Sequence, residues 1–227
     1  MKEPFKECIV VGNGKLAEQI KKDLPLYLDI TVKSYEQGTS CDGQSVFVHI
    51  GSGRQYEEAL ARAIEGNSCF IQAATEKDIK LNPPSRGALC YLHAPNLDLN
   101  IVKFFYLLSQ ASDIFKGEAS SVTESHQAAK TSVPGTAYKI CDYLDFPKAN
   151  IESIRDPDRQ SDMGIGRPEQ HAYHRIQFGG ASSHIALETY VEGLESYVTG
   201  LAKIIGASVH LDKQNYEVED LLKLNLL

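Results

Sequence analysis

Short, uninterrupted apolar runs alternate with amphipathic stretches through the first half of this chain, and few folds satisfy that alternation. Glu7 to Val11 (ECIVV) reads as a buried strand, and Lys15 to Asp23 follows with Leu16, Ile20 and Leu24 at helical spacing. Tyr27 to Ser34 reads as a second strand and Ser45 to Ile50 as a third. Glu57 to Ile64 reads as a helix, and Ser68 to Gln72 and Ala88 to Leu92 as further strands. Strands that are apolar throughout, rather than at every second residue, are covered on both faces, which is the habit of parallel sheets with crossover helices.

The first strand and helix are joined by Gly12-Asn13-Gly14-Lys15-Leu16-Ala17, a G-x-G-x-x-A turn. In a Rossmann-like half such a turn sets a pyrophosphate on the amides of a helix N-terminus. Gly12 permits the turn, Gly14 admits the phosphates close to the backbone, and Ala17 lets helix and strand pack closely. Gly12, Asn13, Gly14, Lys15 and Leu16 are therefore candidate cofactor contacts; the competing reading is a βα turn that uses glycine only for its geometry. At the end of the second strand, Lys33 and Ser34 suit a 2′-phosphate, whereas Glu36 suits a ribose diol. The balance leans to NADPH, with NADH open, and Lys33 as a solvated surface residue is an equal alternative.

Ala94-Pro95-Asn96 breaks the alternation, and Asn96 is expected to cap the long helix Leu97 to Phe115. Longer, β-rich segments follow: Gly117 to His126, Ala149 to Arg155, His171 to Phe178 and His184 to Val191. Between the second and third of these, Asp156 to Gly166 is crowded with turn residues and is expected to be a mobile loop. A last amphipathic helix is expected near Leu194 to Ile205, ahead of a tail ending VEDLLKLNLL. The fold class expected is α/β: a Rossmann-like dinucleotide-binding domain plus an α+β substrate and oligomerisation domain with a mixed sheet.

A formal charge of -7 offers no basic excess for non-specific nucleic-acid binding. No apolar run approaches the roughly 18 residues of a membrane span. The start, MKEPFKECIVVG, lacks a signal-peptide pattern. The five cysteines are scattered singly with no CxxC, a poor framework for disulfides or zinc. Free thiols in a reducing cytoplasm are expected, with no metal site, no nucleic-acid partner and no membrane association.

The segment Glu124 to Ala137 (ESHQAAKTSVPGTA) carries the chemistry. His126 can give a proton near neutral pH, and Lys130 stands four residues on. Lys130 with the donors of Gly135 and Thr136, in a turn Pro134-Gly135-Thr136, can hold a carboxylate. The segment resembles the signature of the dihydrodipicolinate reductase family, close to E-x-H-H-x-x-K-x-D-A-P-S-G-T-A. The resemblance extends to the glycine turn, the Ala94-Pro95-Asn96 step before a long helix, the strand Glu169-Gln170-His171-Ala172-Tyr173, and the ending LLKLNLL.

The resemblance implies His126 as catalytic acid, Lys130 as catalytic and substrate-binding lysine, and Gly135 and Thr136 as donors to a substrate carboxylate. Gln127, in place of the second family histidine, remains a substrate contact. Asn96 stands near the nicotinamide, and Gln72-Ala73-Ala74-Thr75 replaces the family's GTTG strand end, so Ala73, Ala74 and Thr75 join the cofactor contacts. His171 is expected to support the pocket, His174 is unassigned, and His49, His93, His184 and His210 receive no role. The family likeness further implies a homotetramer and a nucleotide domain over 1–97 completed by 196–227, with 98–195 as substrate-binding and tetramerisation domain. Two departures bear on the substrate. The loop before Gly135 is one residue short, and Leu194 stands where the family commonly has an arginine, leaving Arg155, Arg167 or Arg175 as substitutes. The expected activity is NAD(P)H-dependent reduction of dihydrodipicolinate, a small anionic dicarboxylate, in the diaminopimelate route to lysine. The alternatives are a same-fold amino-acid dehydrogenase and a nucleotide-binding pseudoenzyme or sensor.

Overall fold

A computed structural model describes residues 2–74, 81–130 and 135–227. In chain order the elements are β1 (Glu7–Val11), α1 (Lys15–Asp23), β2 (Thr31–Ser34), β3 (Ser45–His49), α2 (Tyr56–Glu65), β4 (Cys69–Gln72), β5 (Tyr91–His93) and α3 (Leu99–Phe115). There follow β6 (Ala119–His126), α4 (Gly135–Leu144), β7 (Glu152–Ile154), α5 (Pro157–Asp162), β8 (His171–Gly179), β9 (His184–Glu192), α6 (Glu195–Ser208), β10 (Asn215–Glu217) and α7 (Val218–Lys223). Two compact units result: Met1–Val102 with Leu194–Leu227, and Lys103–Gly193.

The first unit is built on a six-stranded sheet in the order β10-β5-β4-β3-β1-β2, every pair parallel. All five residues of β3 are buried, which explains why its run SVFVH carries no polar alternation. Successive side chains point to opposite faces. Val10, Val48 and Ile71 pack with Ile20 of α1 and Leu201 and Ile204 of α6. Ile9, Phe47 and Phe70 pack on the other face with Tyr56, Ala59 and Leu60 of α2. There Phe70 stacks on Phe47 at 6.1 Å and on Tyr91 at 5.9 Å, an aromatic ladder across three strands.

The second unit holds a four-stranded sheet, β7-β6-β8-β9, in which β6 and β7 are parallel and the other pairs antiparallel. The mixed α/β architecture expected from the alternation is the one observed. Several local expectations change. Asp98, not Asn96, caps α3, accepting from the amides of Asn100 and Ile101 at 2.9 and 3.0 Å. Asn96 instead accepts from the Asp98 amide at 2.9 Å. The turn residues of 156–166 conceal α5, whose N-cap Asp156 accepts from the amides of Asp158 and Arg159 ahead of a helix-starting Pro157. Gly135 and Thr136 do not form an open turn either, but begin α4, with Ala137, Ile140, Cys141 and Leu144 buried along one face.

Gly200 in the middle of α6 shows how tightly the first unit is packed. A Cβ there would run into the carbonyl oxygen of Leu97, a backbone atom that cannot swing away. Gly200→Ala is expected to destabilise the protein by at least about 1–3 kcal/mol despite the better helix propensity of alanine. Chemical denaturation checks this, and a variant as stable as the parent would show that the helix can shift without cost.

Candidate functional site

In the first unit the chain order reverses at β1, with β2 on one side and β3 on the other. Such a switch point opens a crevice at the carboxyl ends of the strands. A cavity of about 620 Å³ lies there, lined by Val11, Gly12, Asn13, Gly14 and the stretch His49 to Gln55. Gly12 has φ 142°, a conformation that favours glycine, and a Cβ on it would sit 3.0 Å from the amide nitrogen of Gly51. Gly14 is the N-cap of α1 and provides no side-chain cap, so the first amides of the helix are left for another acceptor.

His49 forms the floor of this cavity. Its side chain is buried and its Nδ1 has no hydrogen-bond partner. Burial pushes its pKa down to about 4, so the ring is neutral at pH 7. Lined by amides, a neutral imidazole and the guanidinium of Arg54, the cavity has the donor set that a dinucleotide phosphate requires. A reduced nicotinamide dinucleotide therefore fits the residues present.

Chemistry in the second unit centres on the end of β6. Glu124 has no exposed surface, yet it lies between His126 and Arg155: its Oε2 meets His126 Nδ1 at 2.7 Å and its Oε1 accepts from Arg155 at 2.6 Å. Burial pushes the Glu124 carboxyl up, but hydrogen bonds from His126, Arg155 and Ser153 outweigh it and hold the pKa at about 2. Arg155 also donates from Nε to the Lys130 carbonyl at 2.9 Å, and the Lys130 amide donates to Gln127 O at 2.9 Å. One guanidinium thus fastens both the carboxylate behind His126 and the backbone of Lys130.

Two further histidines surround His126, with ring centroids 5.5 Å away for His174 and 6.4 Å for His171. Burial is the main cause lowering the pKa of both, that of His174 to about 3. His171 joins Ser125 Oγ at 2.9 Å and the Pro168 carbonyl at 3.0 Å. From α5, the buried Gln160 donates to the carbonyl of His126 at 2.8 Å and to Ser125 Oγ at 3.1 Å. The segment expected to be a mobile loop therefore pins the end of β6.

Of the residues singled out from the sequence, Gly12, Asn13 and Gly14 line the cavity, and Lys15 and Leu16 occupy the first turn of α1. Lys33 is ion-paired with Glu7 on the neighbouring strand. Ala73 and Ala74 are buried beyond β4, Asn96 stands ahead of α3, and neither they nor Lys33 line the cavity. Thr75 and Pro134 lie outside the described residues. Gly135 and Thr136 are in the first turn of α4. Arg167 and Arg175 pair with Glu192 and Glu188. Leu194 is the N-cap residue of α6. The sequence reading passed over Glu124, Gln160, His49 and Arg54. A glutamate two residues before the histidine, and a second glycine-rich turn after a buried strand, were the available signals.

The pKa of Glu124 sets a pH dependence. Its folded value, about 2, lies below the ordinary 4.5, so ionisation favours the folded state above pH 4.5, and that advantage is lost as pH falls through 2. Glu124→Gln is expected to cost about 3 kcal/mol at pH 7, with the difference from the parent shrinking between pH 4.5 and pH 2. Urea unfolding across that range measures it; equal stability at every pH would rule out a strained or linked carboxylate.

No model of a known protein family matches the chain. Among curated proteins, it is 28% identical over 152 residues to 4-hydroxy-tetrahydrodipicolinate reductase 1, chloroplastic, of Arabidopsis thaliana. It is 27% identical over 152 residues to the second Arabidopsis thaliana enzyme of that name, also chloroplastic. Each match takes in 57% of this chain and 43% of the relative, so under half of the relative's length is spanned. Among solved structures, the dipicolinate-bound dihydrodipicolinate reductase from Paenisporosarcina sp. TG-14 shares the fold, with a TM-score of 0.69 over 96% of this chain and 99% of that one, at 16% identity. With sequence relatives of that one name and the two-unit architecture to match, the chain is a divergent member of the 4-hydroxy-tetrahydrodipicolinate reductase family.

Proposed function

We propose that this protein is an NAD(P)H-dependent reductase that converts dihydrodipicolinate (4-hydroxy-tetrahydrodipicolinate) to tetrahydrodipicolinate in the diaminopimelate route to lysine. The observation that carries this reading is the buried Glu124 carboxylate fixing His126, with Lys130 secured to the same Arg155. The bound dipicolinate named for the Paenisporosarcina sp. TG-14 protein, a planar dicarboxylate, supports the substrate class.

Residue roles follow from the geometry. When bound, a reduced nicotinamide supplies a hydride to the substrate ring. Gly12, Asn13 and Gly14 bind its pyrophosphate at the head of α1. Lys15 and Leu16, with Ala73, Ala74, Thr75 and Asn96, belong to the same proposed cofactor surroundings. With Nδ1 of His126 engaged by Glu124, the proton that the ring gives to carbon leaves from Nε2. Glu124 holds the ring at one orientation and tautomer, and Arg155 keeps Glu124 in place. Lys130 and the donors of Gly135 and Thr136, at the head of the ten-residue α4, take a carboxylate, with Gln127 beside them. A homotetramer, implied by the resemblance, would cover β9, where Ile185 and Tyr190 are half exposed.

A second reading keeps the fold and changes the substrate. Arg155 is committed to Glu124 and two backbone carbonyls, and Leu194 offers no charge in place of the family arginine. Those two facts favour an amino-acid dehydrogenase whose substrate has a single carboxylate.

Purified protein supplied with dihydrodipicolinate and NADPH or NADH should oxidise the cofactor well above background. His126→Gln should lower kcat by about 100-fold or more while leaving the cofactor Kd unchanged. Background rates for the parent with cofactor binding intact would overturn the reductase reading, and an unchanged kcat in the variant would remove His126 as the acid. Pyridine-2,6-dicarboxylate should raise the melting temperature, as a ligand of the native state does; a shift with monocarboxylates alone would favour the second reading.

A further inference from the structure

Two glycine-rich turns wall the cavity of the first unit. Gly12-Asn13-Gly14 leaves β1, and Gly51-Ser52-Gly53-Arg54-Gln55 leaves the adjacent parallel strand β3. They meet backbone to backbone: a Cβ on Gly51 would stand 3.3 Å from Cα of Gly12, tighter than ordinary contact. Side chains on either would separate the two turns and fill the crevice between them.

The β3 turn also brings side chains that the β1 turn lacks. Arg54 is exposed at the rim, its Nε donating to Ser52 Oγ at 3.1 Å, and it is the only guanidinium or ammonium group among the residues lining the cavity. His49, fully buried below it, faces the edge of the Tyr56 ring at 5.3 Å and leaves Nδ1 unpaired. A buried polar atom without a partner is uncommon in folded proteins, and an orphan that borders a cavity points to a ligand as the missing partner.

Resting on the cofactor reading above, we infer that the β3 turn is the second half of the dinucleotide site. Arg54 pairs with a phosphate oxygen of the nicotinamide dinucleotide, and His49 Nδ1 hydrogen-bonds the same ligand from the cavity floor. The division of labour is physical. Backbone amides of the β1 turn and α1 provide hydrogen bonds but little net charge, whereas a pyrophosphate brings two negative charges into a partly enclosed space. A guanidinium presents two parallel donors to one phosphate and supplies the missing charge. The neutral imidazole can donate or accept at Nδ1, which suits the phosphate and ribose oxygens of such a ligand without burying a second cation.

Calorimetric titration of the full chain with NADH, NADPH and ADP-ribose tests this directly. ADP-ribose carries the pyrophosphate without the nicotinamide, so it reads the proposed contacts alone. Arg54→Gln should weaken ADP-ribose and NADH binding roughly tenfold or more and flatten the dependence on salt. His49→Phe keeps a ring against Tyr56 while removing Nδ1, and should weaken the same ligands by a similar factor. If that variant fails to fold, His49→Gln and Arg54→Gln carry the test. A parent that binds, with either residue's variants within twofold of it, overturns the two-residue site and leaves the cofactor reading standing. A parent that binds none of the three ligands overturns both.

Discussion

A carboxylate with no exposed surface can stay ionised only if charges and hydrogen bonds replace the water it has lost. Glu124 meets that condition with His126 on one oxygen and Arg155 on the other. Each partner is thereby fixed as well, because moving either would strand a buried charge. The orientation of His126, the position of Arg155 at the end of β7 and the backbone of Lys130 become one arrangement. Gln160 closes it from α5 through the His126 carbonyl. Desolvation of a single acid thus organises residues from three parts of the sequence.

Strand order plays the corresponding part in the first unit. β2 is laid on one side of β1 and β3 on the other, so the loops that leave β1 and β3 diverge and a crevice opens between them. Gly12 and Gly51 then decide how near the two loops come. His49 is carried to the floor of the crevice merely by being the last residue of β3. No long-range tuning is needed to place it.

How much of this was legible in the sequence differs by element. β1, β3 and β4 could be read directly because strands buried on both faces cannot hide polar residues. α4 and α5 were obscured by the residues that start them. Proline, glycine and aspartate serve turns and helix beginnings alike, and only the buried set Ala137, Ile140, Cys141 and Leu144 separates the two for α4. His126 and Lys130 were visible through their spacing. Glu124 was in plain view as well, yet its importance depends on Arg155, which is distant in sequence and reaches it only because β7 pairs with β6. Likewise, the empty Nδ1 of His49 is a fact about surroundings, and no local pattern encodes it.

The edge strand β10 has a bearing on how the chain is made. It pairs with β5 across more than a hundred intervening residues, and α6, also late, furnishes much of one core face of the first unit. The second unit, by contrast, is a continuous stretch, Lys103–Gly193. During synthesis from the N-terminus the parallel sheet begins first but is completed last, after the mixed sheet inserted in its midst has emerged. Until α6 arrives, Val10, Val48 and Ile71 lack their covering helix, leaving the nascent chain with a sticky apolar face for a chaperone to shield.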